Sequence, residues 1–113
     1  MNNLNILINH LESQKDPQTA NTMSAYMRDH FPFLGIKTPQ RREIVKEFLK
    51  VYPPEKEWVS ILWNLPEREY QYTALDILFK IRKTLEQKDL LLIEGFILNR
   101  SWWDTVDLLA SNA

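Results

Sequence analysis

Two side chains near the C-terminal end of this 113-residue sequence have the types and spacing that chemistry on a cation would need. Trp103 and Asp107 stand four positions apart, so on a helix the indole and the carboxylate project from one face about one turn apart. A carboxylate beside a π face suits the stabilisation of positive charge. Trp102 then points roughly 100° away, toward a core, and Asp104 falls nearer solvent or caps the turn. The same spacing also fits two core tryptophans with a structural acid beside them. Spacing alone leans toward that plainer reading.

The rest of the inventory narrows the chemistry by exclusion. There is no phosphate-binding glycine loop, no dinucleotide fingerprint and no zinc-ligand spacing. His10 and His30 fall in different elements without an acidic partner at metal-binding spacing, so both read as structural. The absence of cysteine rules out disulfides and thiolate metal sites and fits a reducing compartment. No signal-peptide pattern opens the sequence and no stretch has the length of a membrane span, which sets a cytoplasmic expectation.

Net charge is −1, so the chain as a whole does not advertise a polyanionic partner. Its distribution is more informative. Between Arg28 and Lys50, six basic residues (Arg28, Lys37, Arg41, Arg42, Lys46, Lys50) face three acids (Asp29, Glu43, Glu47), and Lys80, Arg82 and Lys83 form a second basic stretch. Two readings are balanced at this point. One is solvated helix faces, with Lys46 and Lys50 paired to Glu43 and Glu47 at helical spacing; the other is an anion-binding surface.

The elements that must carry these residues are all helical. Hydrophobic residues make up 44% and charged residues 26% of the chain, enough apolar material for one domain with one core. Leu4, Leu7, Ile8 and Leu11 mark a first helix ending near Gln14. Asp16-Pro17 is an N-cap followed by proline, and the second helix should run to about His30 with Met23, Tyr26 and Met27. Residues 31–37 read as a tight, partly buried loop, after which Thr38-Pro39 repeats the cap-then-proline signal. A third helix to about Tyr52 should bury Ile44, Val45, Phe48 and Leu49. Pro53-Pro54 stops it, and a fourth from about Glu55 to Trp63 should turn Trp58, Ile61 and Leu62 inward. A fifth begins at Pro66 and keeps Tyr70, Thr73, Ala74, Ile77, Leu78 and Ile81 in phase to about Thr84. A sixth covers Asp89 to Leu98, and Ser101 caps a seventh. No segment alternates as a strand would. Helix pairs of similar length predict antiparallel pairs stacked as a HEAT-like solenoid, with a compact helical bundle as the alternative.

Four strings in order carry a family resemblance: Tyr26 to Phe31 (YMRDHF), Phe33 to Arg42 (FLGIKTPQRR), Leu62 to Gln71 (LWNLPEREYQ) and Ser101 to Asp107 (SWWDTVD). Together they resemble the AlkD-like family of alkyl-base DNA glycosylases. That resemblance implies an α-α superhelix of HEAT-like repeats gripping duplex DNA on its concave face and removing N3- or N7-alkylated purines. It implies Asp107 as the catalytic carboxylate and Trp103 as its aromatic partner at the lesion. Tyr26, Thr38 and Arg42 fall where the family contacts DNA, with Lys37 and Arg41 beside them, Lys37 standing where a relative has glutamine. No metal or organic cofactor is implied, and the intact protein is expected to be a monomer acting on the bacterial nucleoid. The resemblance covers the N-terminal half of the family, so residues 1–113 are expected to be a single helical domain at the start of a longer solenoid. The last residues lack a glycine cap or a proline breaker, as if a helix continued.

Overall fold

The computed structural model describes residues 3–29, 31–82 and 86–88. These residues form five helices and no strand: α1 (Leu4–Ser13), α2 (Pro17–Tyr26), α3 (Thr38–Val51), α4 (Lys56–Trp63) and α5 (Arg68–Ile81). The protein is all-α, as the periodicity predicts, in an arrangement that agrees with a helical repeat. The expected sixth and seventh helices, and with them Trp102, Trp103, Asp104 and Asp107, lie outside the described residues.

The core follows from the apolar stripes. Leu4, Leu7 and Leu11 of α1 are buried against Val45 and Phe48 of α3, and α4 adds Trp58, Val59, Leu62 and Trp63. Each such side chain contributes about 1.5–3 kcal/mol of burial. The tightest pairing is between α4 and α5, joined by the short 64–67 turn, while α3 packs on both α1 and α5. Gln71 closes that turn: its Nε2 donates to the carbonyls of Trp63 (3.2 Å) and Leu65 (2.5 Å), satisfying the C-terminal end of α4.

Helix α5 departs from a one-sided stripe. Ten of its fourteen residues are buried, among them Arg68, Glu69, Gln71 and Thr73, because α4, α3 and the loop before α3 cover it from several sides. An amphipathic pattern reads one face only, so the buried polar residues of this central helix escape it. On α4 the inward residues are Val59 and Trp63 alongside Trp58 and Leu62, whereas Ile61 is 39% exposed.

Helix α2 is shorter than the sequence predicts. It ends at Tyr26, and Arg28 and Asp29 take left-handed backbone conformations (φ 55° and 57°). The Asp29 N–H donates to the Ser24 carbonyl at 2.8 Å, so a turn replaces the helix's last expected residues. Left-handed geometry at two consecutive non-glycine residues is strained by about 1 kcal/mol or more each. The Ser24 hydroxyl donates to the Phe31 carbonyl at 3.1 Å and ties the far side of the turn. No residue of α2 is buried, but Thr19, Ala20, Met23 and Ser24 are half-buried along one face.

Candidate nucleic-acid interface

The loop before α3 positions the exposed residues at that helix's start, and a buried acid shapes it. Glu69, with no exposed surface, accepts from the backbone N–H groups of Leu34 (2.9 Å), Gly35 (2.9 Å) and Ile36 (3.2 Å). Three consecutive donors converging on one carboxylate form a strong, charge-assisted anchor. The neighbouring Arg68 is also buried: its N–H donates to the Pro32 carbonyl at 2.9 Å and its guanidinium lies over the Phe31 ring, 3.7 Å from the centroid. On the other side, the Asp16 N–H donates to the Leu34 carbonyl at 2.8 Å. Gly35 has φ +96°, and a Cβ there would stand 2.1 Å from the Asp16 carbonyl oxygen. Only glycine lets the loop pass this close to the start of α2. The strings YMRDHF, FLGIKTPQRR and LWNLPEREYQ therefore meet in space at this clamp.

The clamp delivers the chain to α3 with Lys37 and Thr38 on the surface. The N-cap falls on Lys37, whose carbonyl accepts from Arg41 N–H at 2.9 Å; Thr38 is the first helical residue and not the cap that the Thr-Pro pattern suggests. Asp16 does cap α2, accepting from Gln18 N–H (3.1 Å), Thr19 N–H (3.4 Å) and the Thr19 hydroxyl (3.0 Å). The Thr19 hydroxyl, with its backbone N–H, holds the Asp16 carboxyl below its ordinary value of 3.8, and the Lys37 charge adds to this. Lys15, Lys37 and Gln40 border the polar depression between these two helix starts, about 590 Å³ in volume.

Along α3, consecutive arginines take opposite roles. Arg41 is 2% exposed and donates from Nη1 to Asp76 Oδ2 (2.6 Å) and Thr73 Oγ1 (3.3 Å) on α5. It was expected among the DNA contacts, but its guanidinium points into the protein. One position on a helix turns a side chain by roughly 100°, which carries Arg42 out to 56% exposure, its Nε 4.0 Å from Asp76 Oδ2. Thr38, Arg42 and Lys46 follow at i, i+4 and i+8, one stripe along the same face. Lys50 pairs with Glu47 at 3.1 Å as an ordinary solvated contact. Lys46 does not pair with Glu43; it lines a groove of about 430 Å³ with Arg42, Val45, Asp76, Phe79 and Lys80.

Tyr26, the remaining expected contact among the described residues, is 74% exposed at the end of α2, directly before the left-handed turn. Tyr26, Lys37, Thr38 and Arg42 are thus all on the surface. Sequence reasoning missed Glu69, Asp76 and the joining of Lys46 to Lys80. The signal available for Glu69 was a carboxylate inside a matched string, next to Tyr70 of the apolar stripe.

No curated protein matches the sequence. A solved structure described as a predicted DNA alkylation repair enzyme from Enterococcus faecalis is similar in sequence and fold, at 35% identity and a TM-score of 0.73. The similarity covers 83% of this chain and 46% of that one, so the chain spans about half the length of that relative. The model of the family described as DNA alkylation repair enzyme matches residues 7–113, nearly all of the sequence. A match of that extent, together with the shared helical fold, places the chain in the DNA alkylation repair enzyme family.

Proposed function

We propose that this chain is the N-terminal part of a HEAT-like solenoid that acts as a monofunctional DNA glycosylase, hydrolysing the N-glycosidic bond of N3- or N7-alkylated purines. The observation that carries this reading is family membership across residues 7–113, a span that includes all four strings of the resemblance. The exposed row of Lys37, Thr38 and Arg42 supports a duplex partner. Lys37 and Thr38 sit at the positive end of a fourteen-residue helix and Arg42 one turn further on, a disposition suited to backbone phosphates. Tyr26 supplies an exposed aromatic side chain at the end of α2. Arg41 leaves the contact set and acts through Asp76 as support for Arg42.

The chemistry follows from the substrate. Alkylation at N3 or N7 makes the purine cationic, so the base departs neutral when the glycosidic bond breaks, and the sugar takes on the positive charge. In this reading the Asp107 carboxylate stabilises the oxocarbenium-like state and orients the attacking water, and the Trp103 indole adds its π face and excludes solvent. The reaction needs neither a metal nor an organic cofactor, and the intact protein works as a monomer.

The test is release of 7-methylguanine from methylated duplex DNA by the intact protein. Release that is lost in Asp107→Asn, with duplex binding kept, is the expected result. Duplex binding without base release, in the wild type, would replace the enzyme reading with a non-catalytic DNA-binding scaffold.

A further inference from the structure

The groove between α3 and α5 joins the two basic stretches of the sequence. Arg42 and Lys46 come from α3, Lys80 from α5, and Val45, Phe79 and Asp76 complete the lining. The acid is already committed, because Asp76 accepts from the buried Arg41 at 2.6 Å. With the Arg41–Asp76 pair neutral, the groove keeps three positive charges on Arg42, Lys46 and Lys80. Among the described residues, neither Lys46 nor Lys80 has a carboxylate partner: Glu43, at i−3 from Lys46, makes no ion pair with it, and Glu47 is held by Lys50. Uncompensated like charges along one groove repel each other and gain most from a polyanion laid between them.

The spacing suits a nucleic-acid strand. Thr38, Arg42 and Lys46 span eight residues of helix, about 12 Å at 1.5 Å per residue. One DNA strand advances about 3.4 Å per phosphate along its axis, so the stripe faces roughly three phosphates. Lys80 stands across the groove from that stripe.

We propose that the α3–α5 groove is a second phosphate subsite, in which Lys46 and Lys80 hold the backbone of a DNA strand that the α3 start engages first. It rests on the DNA-binding reading above. Lys46 and Lys80 add sequence-independent affinity, and the Arg41–Asp76 pair holds Arg42 at the groove's mouth.

The salt dependence of duplex binding by the intact protein tests this. Each phosphate neutralised contributes about 0.9 to the slope of log affinity against log salt. Lys46→Ala with Lys80→Ala is expected to reduce that slope by about two, the corresponding arginine variants to retain it, and Lys50→Ala to leave it unchanged. An unchanged slope in the double alanine variant, or an equal drop in Lys50→Ala, overturns the subsite while leaving the DNA-binding reading standing. A wild type that binds no duplex even at low salt overturns both.

Discussion

Arg41 and Asp76, on α3 and α5, meet at 2.6 Å, and their pairing decides which arginine of the Arg41-Arg42 doublet reaches solvent. Breaking a buried ion pair from one side leaves its partner's charge uncompensated, which costs about 3–5 kcal/mol. Arg41→Ala is therefore expected to lower the unfolding free energy by about 3 kcal/mol in urea titrations, the lower end because Asp76 keeps some solvent contact. A loss under about 1 kcal/mol would show the pair to be dispensable. Arg42→Ala, by contrast, is expected to change stability little and to weaken duplex binding.

Glu69 offers a second, separable test. Removing its carboxylate by Glu69→Ala strands three buried N–H groups, each worth about 1–3 kcal/mol when left without an acceptor. The expected outcome is a loss of at least about 3 kcal/mol and faster hydrogen exchange at the amides of Leu34, Gly35 and Ile36. Glu69→Gln keeps one oxygen and should lose less. Unaltered exchange at all three amides would mean that the loop is held elsewhere.

Gly35→Ala attacks the same loop from its other face. The new Cβ meets the Asp16 carbonyl oxygen, a backbone atom that cannot rotate away, and the φ of +96° disfavours any side chain. Destabilisation beyond about 2 kcal/mol is expected, read as a lowered denaturant midpoint with unchanged slope. Wild-type stability in this variant would exclude the close approach of residues 16 and 35.

The α2 cap makes a pH-dependent prediction. The folded state holds the Asp16 carboxyl below 3.8, mainly through the Thr19 hydroxyl. A depressed folded pKa gives stability that is present above the unfolded value and is lost as pH falls through the folded one. Asp16→Ala should therefore melt below the wild type at neutral pH, with the gap closing in acid under pH 3.8. Asp16→Asn keeps a capping oxygen that does not titrate, so its melting temperature should track pH less steeply than the wild type's. A wild-type to alanine gap that is constant across this range would remove the carboxylate from the cap.

What could be read without coordinates was local. Helix α1's leucine stripe, the Asp16-Pro17 start of α2 and the proline stop after α3 each depend on residues within a turn or two of one another, so periodicity and capping chemistry carry them. The exposure of Lys37 and Thr38 was not legible in that way: residues 31–37 pointed to a partly buried loop, and only the resemblance put these two residues at a contact surface. Nor was the early end of α2, because the left-handed turn at Arg28 and Asp29 contains neither glycine nor proline to mark it and is held from outside by the Ser24 bond to Phe31.

By itself the sequence determined an all-helical chain, where most of its helices begin, and the family to which its ordered strings point. Tertiary structure alone decided that Arg41 faces inward and Arg42 outward, that Glu69 gathers the loop at Leu34 to Ile36, and that Lys46 shares a groove with Lys80. The reason is physical. A charged side chain's role depends on whether a distant partner waits to neutralise it, and Asp76 meets Arg41 and Arg42, with Lys46 and Lys80 beside them, only when α3 and α5 pack.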